Sequence, residues 1–394
     1  MRDGFMSLRF AGRGLGPRSS AVLAALLLLL PAVAALAACA TAQPRFVPGS
    51  GGGGKTSASS PSASPTSFPK SAPGTFTLSA VGDTIMASAP KYLPPNGGAD
   101  FFAPVEAALK SDLQMANLEE PLTNVPTSSK CGASLGKTCF AFRSPPQYAN
   151  VLASAGFDLV NIANNHALDY GQAGHVETEH ALDSAGVKYT GPPGMVTTVT
   201  VKGLKIAVIG FAPYPWANDV RDISAAADLV RDAKKSNDLV IVQVHMGGEG
   251  PTYQHVKPGT EIFLGEDRGN PIAFSHAMID AGADIIIGHS PHVLRAMEFY
   301  KGHLIAYSLG NFAGYHALST SGVTGISMIL RVTLRTDGSF VSARIVATSM
   351  VAPGVPQMDP NQRAIPLVRS LTNADFPNSG AQIAANGAIT PPSS

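Results

Sequence analysis

Asp83, Glu119, Asn165, His245, His289 and His292 are residue types that hold divalent cations, and His166, Asp169 and Glu249 near them are types that move protons. They fall into short clusters: Asn164-Asn165-His166 with Asp169, His245 with Glu249, and Gly288-His289-Ser290-Pro291-His292. Each cluster follows a hydrophobic run that reads as a strand. Asp83 comes directly after Val81-Gly82, and Glu119 after Asn117-Leu118. Ligands of open α/β sheets gather at the carboxyl ends of strands, so these side chains are expected to converge around one or two divalent ions.

Single residues leave other readings open. Asp83 alone also reads as a turn or cap aspartate, Glu119 as a solvated carboxylate, Asn165 as a helix N-cap and His245 as a satisfied core histidine. Alternation places Asn117 and Glu119 on one face, one toward the site and the other supporting it. Two imidazoles three residues apart, His289 and His292, fit one shared ion or one each of two. Glu249 either hydrogen-bonds a ligand histidine or reaches the substrate. Asn311, and Asn164 beside the ligand turn, are placed to orient ligands. Trp216, with Pro213 and Pro215, lines a groove or stiffens a loop, and His255, His276, His303 and His316 lie outside the pattern.

Strands are expected near 76–81, 113–118, 158–163, 204–211, 239–244, 283–287, 304–309, 325–334 and 340–348. Helices are expected near 104–111, 146–155, 175–185, 225–235 and 272–281. Strand and helix alternate, and several strands are apolar at every position, so both sheet faces are covered. The fold class is α/β, a sandwich of mixed sheets flanked by helices. The segment after residue 350 is expected to be extended, and the polar tail beyond Asn373 disordered.

The N-terminal region has its own logic. Arg2, Arg9, Arg13 and Arg18 precede an apolar run over 21–38, the form of an export signal, with an uncleaved anchor as the alternative. The run ends Leu36-Ala37-Ala38-Cys39, a lipobox, so residues 1–38 read as a lipoprotein signal peptide and Cys39 as the lipidated residue. Acyl chains there would hold the protein at the outer face of the bacterial cell membrane, each buried methylene contributing roughly 0.8 kcal/mol. Residues 39–74 form a flexible Ser/Pro/Gly tether before a domain over 75–350. Gly49 to Thr56 matches a phosphate-loop pattern, but no strand or helix flanks it. Outside the cytosol, Cys131 and Cys139 read as one disulfide closing a small ring, worth about 2 kcal/mol. A net charge of +1 over 394 residues, with no basic run in the domain, gives no support to a nucleic-acid partner.

Taken in order, Gly82-Asp83, Asn117-Leu118-Glu119-Glu120-Pro121, Asn164 to Gly171, His245-Met246-Gly247-Gly248-Glu249, Gly288 to His292 and Tyr307-Ser308-Leu309-Gly310-Asn311-Phe312 resemble the CapA-type bacterial capsule synthesis proteins. That family is associated with poly-γ-glutamate and looks like a branch of the calcineurin-like metallophosphoesterases. The resemblance implies Asp83 and His292 on one metal, Asn165, His245 and His289 on a second, and Glu119 bridging them. His166 becomes the unligated acid–base group, and the mixed O and N donors suit Mn, Fe or Zn. This chain departs from the pattern: no His follows Asp83 by two residues, Asn117 to Glu119 replaces the second aspartate motif, and Pro291 separates the last histidines.

The expected function is a surface lipoprotein in synthesis, export or processing of an anionic polymer such as poly-γ-glutamate, through a hydrolase-like metal site. One alternative is a secreted phosphoesterase acting on nucleotides or phosphorylated envelope components. Another is a non-catalytic partner of membrane capsule synthesis proteins.

Overall fold

The computed structural model of the protein describes residues 72–131 and 139–393. The export signal, Cys39, the phosphate-loop match and nearly all of the tether lie outside the described residues. Among the described residues, no helix is long and apolar enough to cross a membrane.

Two sheets stack face to face. The first runs Gln382–Ile383, Ala388–Thr390, Phe340–Val351, Ile326–Arg335, Thr75–Ile85, Leu113–Leu118, Leu159–Asn161, Lys188–Thr190. The short strand Asn311–Gly314 pairs in parallel with the end of Thr75–Ile85. The second runs Met297–Tyr300, His303–Ala306, Ile285–His289, Leu239–His245, Leu204–Ala212, Thr197–Val201. The strands that carry the site pair in parallel, so their carboxyl ends share one edge.

The unbroken apolar strands have a direct explanation. Leu239, Ile241, Ile285 and Ile287 face the other sheet, while Val240, Val242, Val244 and Ile286 face the helices Ile223–Ser236 and Pro271–Asp280. On the first sheet, Leu113, Met115 and Leu159 point inward, and Ala116, Leu118 and Val160 pack beneath Ala149–Ser154 and Gly171–Ala185. Each of these strand residues therefore has apolar neighbours on the face it presents. The result is a helix–sheet–sheet–helix sandwich.

Three expectations need correction. The helix expected near 104–111 contracts to Glu106–Leu109. The first strand continues past Val81 to Ile85, so Asp83 lies within a strand, because its N–H donates to Gly310 O at 2.9 Å and its Cα pairs with Asn311. Gly82 permits this, since a side chain there would collide with the Gly310 carbonyl.

The C-terminal segment is ordered through residue 393, contrary to the disordered tail expected after Asn373. Helix Ala364–Asp375 buries Ile365, Val368 and Leu371, and two short strands bury Ile383 and Ile389 against Phe340–Val351. Each short strand contributes one apolar residue, too few to produce a period-two signal. Ile365→Ala is expected to cost about 2–5 kcal/mol in chemical denaturation, because Ile365 sits in the inter-sheet core. A change within error would mean that the helix only decorates the surface.

Candidate metal centre

The alternation that fills the core also builds the site. Inward-facing positions turn polar at the carboxyl ends: Asn117 after Leu113 and Met115, Asn161 after Leu159, and Gln243 and His245 after Leu239 and Ile241. His289 follows Ile285 and Ile287 in the same way. Strand register sets them side by side. The Cα of Asp83 pairs with those of Asn311 and Asn117, Asn117 with Asn161, and His245 with His289 across the other sheet.

The two rows meet through short contacts. His292 Nδ1 lies 3.2 Å from Asp83 Oδ2, and its Nε2 lies 3.6 Å from Glu119 Oε1. His245 Nε2 is 3.8 Å from the same Glu119 oxygen, and His289 Nδ1 is 3.9 Å from Asp83 Oδ1. Asp83, Glu119 and His292 each offer a ligand atom within 4.8 Å of the others. His292 arrives on a turn in which it and Ser290 both adopt positive φ, 57° and 97°. Such conformations cost of order 1–3 kcal/mol each and persist where surrounding contacts fix them. Here His292 Nδ1 donates to Asn311 Oδ1 at 2.8 Å, and Gly250 N–H donates to Pro291 O at 2.9 Å.

Six buried side-chain atoms of this set have no hydrogen-bond partner among the described residues: Asp83 Oδ2, both oxygens of Glu119, Asn165 Oδ1, His245 Nε2 and His289 Nδ1. A buried polar atom left unmade costs about 1–3 kcal/mol, more when charged. A divalent cation would satisfy oxygen and imidazole donors together, so these residues fit one. The bland alternatives fail on the same facts. Asp83 caps no helix, Glu119 is fully buried, Tyr170 rather than Asn165 precedes helix Gly171–Ala185, and His245 is an unsatisfied core histidine.

Electrostatics agree with a site short of positive charge. Burial outweighs His292 at Glu119 and holds its carboxyl well above the usual range, with Asp83 and Glu249 adding to the rise. Burial would raise Asp83 too, but the nearer His292 imidazolium brings it down to about 2. Burial opposes the charged form of His292, yet Glu119 and Asp83 lift it well above the ordinary histidine value. His289, pressed down by burial to about 4, and His245, pressed by burial well below the ordinary histidine value, remain neutral donors.

The expected supporting residues occupy distinct places. Asn117 donates to Asp83 Oδ1 at 2.7 Å and accepts from Asn161 at 2.9 Å and Asn164 at 3.3 Å. Trp216 donates to Asn164 O at 3.0 Å and stacks on Tyr214, which ties its loop to the ligand turn. His166 Nδ1 meets Asp169 Oδ2 at 2.7 Å, so Nε2 is the nitrogen left for a substrate. Glu249 Oε2 stands 3.9 Å from His292 Nε2, while Oε1 accepts from Arg268 at 2.9 Å. His255, His276, His303 and His316 contact Asp375, Glu298, the Asp284 carbonyl and Tyr92, away from the cluster. Cys131 and Cys139 are disulfide-bonded, as their spacing predicts.

Sequence reasoning missed Gln243, Asn161, Arg268 and Lys130. Gln243 and Asn161 had a signal, each a lone polar residue on the inward face of an apolar strand. Gln243 Oε1 accepts from His289 Nε2 at 3.1 Å, which turns Nδ1 toward the cluster. Loss of such an orienting partner lowers metal affinity by about 10–100-fold. Gln243→Ala is expected to show that drop in a competitive chelator titration, and unchanged affinity would remove Gln243 from the site.

The profile of the family described as "Bacterial capsule synthesis protein PGA_cap" matches residues 77–315, a span holding every predicted ligand. The chain belongs to that family. It is 33% identical over 259 residues to the capsule biosynthesis protein CapA of Bacillus anthracis, covering 60% of this chain and 59% of that protein. With the PGA biosynthesis protein CapA of Bacillus subtilis strain 168 the identity is 32% over 256 residues, covering 60% and 63%. The chain thus spans about six-tenths of the length of these relatives. Among solved structures, a 5′-nucleotidase precursor from Thermus thermophilus superposes with TM-score 0.41 at 14% identity, covering 77% of this chain and 60% of that one. The NAD nucleotidase NadN of Haemophilus influenzae gives 0.38 at 14%, covering 76% and 56%.

Proposed function

We propose that this family member takes part in synthesis, export or processing of an anionic polymer of the poly-γ-glutamate kind, through a divalent-metal centre that performs hydrolysis or transfer. In this reading the protein works outside the cytoplasm, tethered to the membrane by lipid on Cys39. Family membership and the names of the Bacillus relatives support the polymer. One observation carries the chemistry: the six buried, unpartnered donor atoms of Asp83, Glu119, Asn165, His245 and His289.

In this assignment Asp83, Glu119, Asn165, His245, His289 and His292 are the residues that would hold one or two divalent ions. Bound ions would polarise the scissile group and lower the pKa of an attacking water. The chain supplies the rest. Asp169 fixes the His166 ring so that Nε2 accepts or returns a proton at the reacting atoms. Arg268 holds Glu249 beside His292, where its carboxylate opposes a second anion and favours a cation.

The test begins with elemental analysis of the purified full-length protein. It continues with incubation in Mn²⁺ or Zn²⁺ with poly-γ-glutamate and, separately, with bis(p-nitrophenyl) phosphate. Metal-dependent shortening or re-attachment of the polymer supports the proposal. Turnover of the phosphodiester alone replaces it with a phosphoesterase. Protein without metal that binds capsule synthesis partners regardless of His245→Ala and His289→Ala is an assembly factor instead.

A further inference from the structure

Arg295 is fully buried, three residues past His292 and outside the set of predicted ligands. Its partners come from a different segment. Nη1 donates to Glu261 Oε1 at 3.0 Å, Nη2 to Glu261 Oε2 at 2.8 Å, and Nε to the Tyr253 carbonyl at 2.6 Å. Nη2 also reaches the Gly248 carbonyl at 3.4 Å. Glu261 passes the contact on: its Oε2 accepts from Gly248 N–H at 2.7 Å, and its carbonyl accepts from Arg268 N–H at 2.9 Å. Gly247 N–H in turn donates to the Arg268 carbonyl at 2.9 Å, and the Arg268 side chain grips Glu249 at 2.9 Å. Glu249 closes the circuit, with Oε2 3.9 Å from His292 Nε2.

We infer that Arg295 is a positioning residue: through Glu261 it holds the Gly247-Gly248 turn so that Glu249 stands beside His292. A guanidinium taken out of water is costly unless it is paired and hydrogen-bonded, and here two carboxylate oxygens and two carbonyls meet it. Its planar fork grips both oxygens of Glu261 at once, which fixes the direction of that carboxylate as well as its distance. The turn is shaped to receive the pair. Gly247 takes a φ of +95°, and a Cβ there would lie 2.9 Å from both Arg295 Nη1 and Glu261 Oε2. A Cβ on Gly248 would lie 2.2 Å from the Tyr253 ring. The two glycines after Met246 therefore leave the space that the ion pair and Tyr253 fill. Arg295 and His292 share one loop, so the pair fastens the segment that carries Glu249 and Arg268 to the loop that carries a predicted ligand. Without it, Gly248 N–H and the Glu261 carboxylate lose their common anchor, and Glu249 is held by Arg268 alone.

This inference rests on the metal reading above, where Glu249 favours a cation, so its test has one readout that needs no metal. Two full-length variants break the latch. Arg295→Lys keeps the charge and loses the fork, and Arg295→Met/Glu261→Met replaces the pair with apolar groups, a change that buried ion pairs often tolerate. Mn²⁺ affinity, from competition with a chelator, is expected to fall about 10- to 100-fold in both, as for other partners that orient a metal site. In a Glu249→Gln background the same changes are expected to cost little more, because the latch acts through Glu249. Losses that add in full in that background overturn the inference, and so does unchanged affinity in both latch variants. On metal-free protein, amide exchange at Gly248 is expected to be at least about tenfold faster in the methionine pair, with Val242 in strand Leu239–His245 unchanged. No change at Gly248, or equal acceleration at Val242, overturns the inference. If wild type takes up no Mn²⁺, the metal reading fails while exchange at Gly248 still decides whether Arg295 holds the turn.

Discussion

Glu119→Gln is expected to leave the metal-free protein as stable as wild type or more so, and to erase most of the stability that a divalent cation adds. Glu119 is fully buried, both of its oxygens lack hydrogen-bond partners, and burial pushes its carboxyl well above the usual range, toward the neutral acid. Glutamine is close in shape to that protonated acid, so the metal-free fold loses nothing and sheds a latent buried charge. The cation-bound state needs the carboxylate itself. A cation present at about 100 times its Kd stabilises the folded state by roughly 2.7 kcal/mol, and the variant should lose most of it.

Thermal melts of both proteins, in chelator and in excess Mn²⁺ or Zn²⁺, give the four required values. Equal metal-induced shifts in the two proteins would show that no ion sits against Glu119. Binding should also release protons. His292 is raised well above its ordinary value by Glu119 and Asp83, so near neutral pH a cation must displace an imidazolium proton. Affinity therefore falls as pH falls. Calorimetric titrations in buffers of different ionisation enthalpy count the protons, and a count of zero would contradict the assignment of His292.

The clustering of these polar residues was legible because the inward-facing rows of both sheets change abruptly from apolar to polar at one edge. Leu239, Ile241, Gln243, His245 on one strand and Ile285, Ile287, His289 on its neighbour make that change visible in the primary structure. The strand ladder then does what alternation promises, setting His245 opposite His289 and Asp83 opposite Asn117. The missed residues lacked such a context. Arg268 reaches Glu249 from a turn with no periodicity, and Lys130 is one charge beside a cysteine in a polar loop. Their roles come from tertiary approach, which no local pattern encodes. The ordered C-terminal segment was invisible for a related reason. Ile383 and Ile389 are single apolar residues whose burial depends on an edge supplied by Phe340–Val351, far away in sequence.

Asp169→Asn and His166→Ala are expected to reduce turnover by about 100- to 10,000-fold while leaving bound metal unchanged. Asp169 Oδ2 now accepts from both His166 Nδ1 and Phe142 N–H. An asparagine amide offers one acceptor and one donor group. If its oxygen takes the place of Oδ2, its NH2 faces the Lys130 ammonium in place of Oδ1. If it turns the other way, its NH2 opposes both donors. The first orientation keeps an acceptor for His166 Nδ1 but sets two donors against each other, and the second removes that acceptor, so the ring is free to invert and carry its proton on Nε2, the nitrogen needed as acceptor. Removing the ring altogether by His166→Ala leaves the cluster of Asp83, Glu119, His245, His289 and His292 in place, since none of their contacts within the cluster runs through it. Metal stoichiometry measured beside steady-state rates on the polymer and on the phosphodiester separates the two roles. Metal loss in His166→Ala would make the residue a ligand or a prop for Asn165. Undiminished rates in both variants would reduce the pair to structure and move proton transfer elsewhere in the cleft, with Glu249 as the remaining candidate.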